Sequence, residues 1–493
     1  MTGFSAVLTT GIYCRPGCAA RPNPRNVREF STAAAAEAAG FRACLRCRPY
    51  RGEAPLVASA PELVCRSVRL VLDGALDGQT EQHLGSRLGI SPRHLRRLFA
   101  EHLGVTPDQL ARSRRAHFAR RLLDDTDLTI TEIAFASGFG SVRQFNRACM
   151  DIFREPPRTL RARRRNADRL VADGGLTLRL PCSDELDWDL MLGYFQARAI
   201  AGVEHVDAGT YRRTVAIEGD PGVIELSRGA SGDLLLRVHL PHWEGLIHVA
   251  ERARRIFNLD TDVAAATSLL GDSAILGPLL RARPGLRPPG TWDPFESGVR
   301  AIIGQQVSVV GANTIVARLV ARHGTPAPGL RQLGLTHLFP TPATLAAGDL
   351  DGIGLTRSRA RSIGAFARAV DGGEIALDRS VSRAELLATI VATPGLGQWT
   401  AEYIALRLGE PDAFPATDLG IRRALACLTG HPVDSRSAAE LAERWRPHRA
   451  HAAIHLWLAA ALEGRRAPST IRPPPPPAAR AARPSARGPG GTP

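Results

Sequence analysis

Thr393-Pro394-Gly395-Leu396-Gly397-Gln398-Trp399-Thr400-Ala401 lies between two apolar segments, 386–391 and 401–408, of helical periodicity. Two helices joined by a Pro-Gly-x-Gly turn form a helix-hairpin-helix. Its glycines let backbone N–H groups point at a phosphate with no side chain in the way. Such a turn is common by chance, so its surroundings decide its meaning. Beyond it come Asp412-Ala413-Phe414-Pro415 and Thr417-Asp418-Leu419-Gly420-Ile421-Arg422, with Asp418 just ahead of a further helix. Taken alone, an Asp in that place is more often a helix N-cap than a reactive group.

Outward toward the N-terminus the texture changes. Residues 176–181, 211–216, 223–226 and 234–240 alternate as short strands separated by Gly and Asp turns, and residues 187–199 form an apolar helix after the first of them. This block, with Gly202-Val203-Glu204, resembles the N-terminal sheet domain of the AlkA family, the 3-methyladenine DNA glycosylases II, and the similarity runs on to about residue 463. The hairpin and Asp418 stand at the spacing that the glycosylase superfamily uses. The resemblance therefore implies that Asp418 is the catalytic carboxylate. Breaking an N-glycosidic bond builds positive charge on the sugar, which a fixed carboxylate stabilises.

The damaged base must leave the stack and enter a pocket. Tyr194, Trp399, Tyr403 and Trp457 align with the family's pocket positions, where aromatic faces attract electron-poor alkylated purines, although any of them could be core. Gln306, in Gly304-Gln305-Gln306-Val307-Ser308, stands on the loop that fills the gap in the duplex, and Gly395 and Gly397 belong to the DNA-gripping hairpin. Relatives that also nick the strand use a lysine amine at the place of Trp399. This chain has no lysine at all, all 63 basic residues being Arg, so base excision without strand cleavage is expected.

Upstream lie two helix-turn-helix patterns about 45 residues apart. In residues 84–99 a short apolar helix turns at Gly89, Ser91 caps the next helix with Pro92 behind it, and Arg93, Arg96 and Arg97 are left on the exposed face. In residues 130–147 a glycine again makes the turn, Ser141 caps, and Arg143, Gln144, Asn146 and Arg147 are suited to base edges or phosphates. The tandem resembles the AraC-type regulator domain, which implies two recognition helices in successive major grooves. The run 158–169 is either a backbone-binding flank or a solvated linker.

At the N-terminus Cys14-Arg15-Pro16-Gly17-Cys18 and Cys44-Leu45-Arg46-Cys47 form two knuckles that can close a tetrahedron around one Zn2+, the alternatives being disulfides or ordinary thiols. The strings 9–18 and 40–49 resemble the metal-binding sensor domain of the Ada family. That resemblance implies that Cys14 is both zinc ligand and nucleophile, taking a methyl group from a methylphosphotriester in DNA, and that Arg21 and Arg42 grip the backbone. Methylating one of four thiolates halves the formal negative charge of the centre and should strengthen DNA binding.

Composition agrees with a polyanionic partner. The net charge is +15, and residues 1–170 carry 28 Arg against 16 Asp plus Glu. No signal peptide or membrane-spanning run is legible, so a cytoplasmic, nucleoid-associated protein is expected. The expected architecture is multidomain α+β: a four-cysteine zinc module (1–60), an all-α tandem helix-turn-helix (61–165), a linker (166–175), an AlkA-type N-terminal sheet domain (176–248), an all-α helix-hairpin-helix glycosylase domain (249–465) and a disordered Pro/Ala/Arg tail (466–493). The expected function is alkylation repair with self-regulated transcription. The partners are damaged and promoter double-stranded DNA, with RNA polymerase as a candidate protein partner. No guanine-methyltransferase string Pro-Cys-His-Arg is present. The rival reading is a regulator whose glycosylase-like half only binds DNA.

Overall fold

The computed structural model describes residues 3–51, 60–165, 170, 175–182, 186–230 and 232–466. The expected linker is described only at Leu170 and Gly175, and the expected tail only at Arg466. Among the described residues no helix is long and apolar enough to cross a membrane.

The architecture is multidomain α+β. The first sheet has four short strands, spatially ordered Val27–Phe30, Phe4–Val7, Ile12–Cys14 and Arg42–Ala43. Its one parallel pairing sets Ile12 opposite Arg42 and Tyr13 opposite Ala43, which carries the end of one cysteine knuckle to the start of the other.

Seven helices follow: Glu62–Leu72, Glu81–Leu88, Pro92–Leu103, Pro107–Asp125, Ile130–Ala136, Val142–Phe153 and Pro157–Ala162. Both expected turns fold for the local reasons that predicted them. Gly89 and Gly138 take left-handed backbone (φ 69° and 80°), and the Ser91 and Ser141 hydroxyls accept from the backbone N–H of His94 and Gln144. The helix Pro107–Asp125 opens with a Thr106–Gln109 capping box and joins the two units.

The second sheet is antiparallel throughout, ordered Leu176–Leu180, Leu234–His239, Asp220–Arg228, Thr210–Ile217, Glu204–Asp207. The edge strand Glu204–Asp207 was not expected. Its alternation is obscured because Glu204 is buried as a charge, accepting from Tyr211 and facing Arg213 and Arg300. The boundary expected at 248 falls inside the helix Leu246–Ile256, whose buried residues join the same core as the sheet. The helical region then packs Phe295, Phe366, Ile404, Ile421 and Leu456 into a second core. The strand pair Thr325–Pro326 and His337–Leu338 within it is also unforeseen.

The regions are tied by buried charge. Asp124, fully buried, accepts from Tyr50 Oη (3.1 Å), lies 3.7 Å from Arg48 and 3.3 Å from Arg51, and pairs with Arg120 on its own helix. Next to it Asp125 meets Arg179 of the second sheet at 3.1 Å. Arg69 with Glu410 (2.7 Å) and Asp73 with Arg255 (2.8 Å) join the helix Glu62–Leu72 and the residue that follows it to the C-terminal half.

Candidate functional site

Two constellations stand apart. In the first, Cys14 ends its strand and Cys18 follows a turn through Gly17 (φ 74°). Cys44 donates its backbone N–H to Tyr13 O at 3.0 Å, extending the parallel pairing, and Cys47 closes the second knuckle. The four sulfurs lie within 4.8 Å of one another. Thiols so close cannot all ionise unaided: burial, then Cys44 and Cys47, pushes the Cys14 thiol well above its usual value. Cys47 is pushed up to about 12, by burial and then by Cys44, against the lowering effect of the Arg15 N–H. A divalent cation inverts that logic and holds coordinating thiols deprotonated, so the donor set fits zinc.

Cys14 is only 7% exposed. Its neighbour Tyr13 donates to Glu37 Oε1 (2.7 Å), which also meets His117 Nε2 at 2.6 Å and so fastens the module to the helix Pro107–Asp125. Arg21 is exposed and Arg42 half-buried. On the two expected recognition helices Arg93, Arg96, Arg97, Arg143, Gln144, Asn146 and Arg147 are all exposed, while Leu95, Phe99, Phe145 and Cys149 are buried behind them.

The second constellation is a cavity of about 1000 Å³ between the sheet domain and the helical region, within the size range of ligand sites. Tyr194, Trp399, Tyr403, Trp457 and Asp418 all line it, brought together from four helices. Trp399 and Tyr403, one helical turn apart, stack with centroids at 5.3 Å and planes at 16°, and Trp457 tilts against Tyr403 at 6.1 Å. Asp418 caps the helix Leu419–Thr429, its Oδ1 accepting from Ile421 N at 3.0 Å. The bland and the functional readings of this residue thus coexist in one side chain. The indoles also donate to it, Trp399 Nε1 to Oδ2 at 2.8 Å and Trp457 Nε1 to Oδ1 at 2.9 Å.

Arg407 was missed in the sequence. It continues the four-residue spacing of Trp399 and Tyr403 on the helix Gln398–Arg407, which was the available signal. Buried, it donates to the Tyr194 and Tyr403 hydroxyls (3.0 and 3.1 Å) and to Gly290 O. Burial raises the Tyr403 phenol, yet the Arg407 charge and the Tyr194 hydroxyl outweigh it and bring it down to about 8. Tyr194 is raised instead, by burial, and the Arg198 guanidinium lies 4.0 Å over its ring.

On the rim, Gln305 donates to Thr400 Oγ1 at 2.9 Å and its carbonyl accepts from Arg359, leaving Gln306 exposed in left-handed backbone (φ 56°). A non-glycine residue held there is strained, as residues at functional sites often are. Gly395 also has positive φ (81°), and Gly397 caps the next helix with no side-chain bond, leaving its first N–H groups without that partner.

Four family models match the chain in order: the metal binding domain of Ada over residues 3–50, a helix-turn-helix domain over 84–163, the AlkA N-terminal domain over 177–293, and the HhH-GPD superfamily of base excision DNA repair proteins over 299–447. The probable bifunctional transcriptional activator/DNA repair enzyme AlkA of Mycobacterium tuberculosis is 39% identical over 457 residues, 92% of this chain and 92% of its own length. DNA-3-methyladenine glycosylase 2 of Escherichia coli is 34% identical over 279 residues, 55% of this chain and 93% of its own. The 3-methyladenine DNA glycosylase of Archaeoglobus fulgidus shares the fold, with a TM-score of 0.51 and 24% identity over 58% of this chain and 98% of its own. With the Ada model matched over the clustered sulfurs, the four cysteines bind one Zn2+.

Proposed function

The chain belongs to the family of bifunctional transcriptional activator/DNA repair enzymes of the AlkA type, and from that premise we propose that it couples a methylation-sensing transcriptional switch to hydrolytic excision of alkylated bases. The observation that carries the excision reading is Asp418, a half-buried carboxylate held at the wall of an aromatic cavity beside a helix-hairpin-helix. A base flipped into that cavity leaves with the electron pair of its glycosidic bond. Positive charge develops on the sugar a short distance from the carboxylate, which stabilises it. Water then bonds to the anomeric carbon and loses a proton, giving free base and an abasic sugar. With no lysine in the chain to form a Schiff base, the reaction stops there.

At the other end, Cys14 Sγ attacks the methyl carbon of a methylphosphotriester. The carbon–oxygen bond breaks, the phosphate oxygen keeps the pair as a diester anion, and Cys14 becomes a methyl thioether. Zinc bound by the four cysteines supplies the positive charge that keeps them as thiolates. Loss of one negative charge on Cys14 lowers repulsion of the DNA backbone, and the exposed Arg93, Arg96, Arg97, Arg143 and Arg147 then engage promoter DNA with Gln144 and Asn146. The proposed division into a sensor, a reader and a glycosylase follows the expected boundaries, with the helix Leu246–Ile256 assigned to the sheet domain.

The test is release of free bases from methylated duplex DNA by the full-length protein beside Asp418→Asn and Cys14→Ala, with reporter activation measured in parallel. Wild type and Cys14→Ala should release 3-methyladenine and Asp418→Asn should not, while only Cys14→Ala loses methylation-dependent activation. Absence of base release by the wild type would reduce the C-terminal half to a DNA-binding scaffold.

A further inference from the structure

Trp399 and Trp457 entered the site as stacking surfaces, yet both spend their only polar group on Asp418. A carboxylate offers about four acceptor sites, two on each oxygen. Oδ1 fills both, with Trp457 Nε1 at 2.9 Å and Ile421 N at 3.0 Å. Oδ2 fills one, with Trp399 Nε1 at 2.8 Å, and among the described residues no other hydrogen bond reaches the group. We infer that the two indoles are positioning residues that lock the carboxylate and leave a single acceptor site, the second lone pair of Oδ2, to face the sugar or the attacking water. The inference rests on the reading of Asp418 as the excision carboxylate.

Gly420 belongs to the same device. A Cβ there would stand 3.1 Å from Asp418 Oδ1 and 3.4 Å from Trp457 Cδ1, close enough to crowd the carboxylate where the indole edge meets it. The faces of the indoles tell the same story. Trp399 already has Tyr403 stacked on one side, so a base can use at most the other.

The arrangement ranks the indoles. Without Trp457 the Oδ1 oxygen keeps the Ile421 N–H, whereas without Trp399 the reacting oxygen loses its one tether. Replacement by Phe keeps an aromatic face and removes only the donor. Misplacing a reacting group by about an ångström costs on the order of 100-fold in rate. Trp399→Phe should therefore slow the chemical step by roughly 30–100-fold, and Trp457→Phe by no more than about 10-fold.

The experiment is single-turnover base release from methylated duplex DNA at saturating full-length enzyme, with affinity for an abasic-analogue duplex measured alongside, for both Phe variants and Asp418→Asn. The expected result is a slower chemical step in the stated order, with duplex affinity within about twofold of wild type, a change too small to account for the loss. If the Phe variants release base at the wild-type rate, or lose only affinity, the indoles merely stack and the inference falls while Asp418 stands. If Asp418→Asn itself keeps the wild-type rate, the reading beneath it fails instead. Should Trp399→Phe not fold, benzothienylalanine at 399, with sulfur in place of the N–H, asks the same question. A fast benzothienylalanine enzyme overturns the inference, and a slow one with intact affinity supports it.

Discussion

Replacing Gly395 by Ala tests whether the hairpin is a built phosphate grip. The residue has φ 81°, and a Cβ would lie 2.0 Å from Ser362 Oγ and 3.2 Å from Ser362 Cβ. Left-handed backbone costs a residue with a Cβ roughly 1–2 kcal/mol. Ser362 Oγ must also swing away and give up its 3.1 Å bond to Ser358 O, worth about 1 kcal/mol. The hairpin is thus disfavoured by about 2–3 kcal/mol in the shape that presents its N–H groups, which weakens DNA by up to roughly 30–150-fold if binding needs that shape. The assay is affinity for an abasic-analogue duplex at fixed salt, in a double-mutant cycle with Ser362→Ala. That second change removes the Oγ overlap and should return about 1 kcal/mol of the loss. An affinity for Gly395→Ala within twofold of wild type, or a loss indifferent to Ser362, would refute the reasoning.

Two further outcomes are expected. Tyr403, brought down to about 8 mainly by Arg407 against the opposing effect of burial, should make one of the five tyrosines ionise far below the others. Tyrosinate absorbance should therefore rise in a step near pH 8 that moves upward in Arg407→Met, where the largest of the influences opposing burial is gone. Because this acidic group is lowered on folding, its contribution to stability is fully present only above the ordinary phenol value and is lost as pH falls through about 8. Asp124→Ala removes the buried anion shared by Arg48, Arg51 and Arg120, which should cost about 3–5 kcal/mol. A lowered thermal midpoint and easier proteolytic separation of residues 3–51 from the rest would report it, and a midpoint equal to wild type would contradict it.

Much was legible before any coordinates because it depends on a few neighbouring atoms. Gly89, Gly138 and Gly395 sit where the backbone needs positive φ, and Ser91, Ser141 and Asp418 sit where a helix needs an acceptor for its first N–H groups. Those requirements are met within four residues, and so are the two cysteine knuckles, whose spacing can close a tetrahedral soft-metal site. The lack of lysine is likewise a property of composition and excludes a lysine Schiff base whatever the fold.

Other features exist only because distant segments meet. Sequence periodicity could place Trp399 and Trp457 on helices but not aim both indole N–H groups at one carboxylate, since they reach it from 19 and 39 residues away along the chain. Glu204 hid an edge strand because its charge is balanced by Arg213 and Arg300, the second of them far away in sequence. The same holds for Arg407 beneath the two tyrosines and for Asp124, where zinc module and reader meet, with Asp125 reaching the second sheet. Local backbone chemistry writes turns, caps and knuckles into the order of residues. The burial of a charge, and the partners that make it tolerable, are decided only when the chain closes on itself.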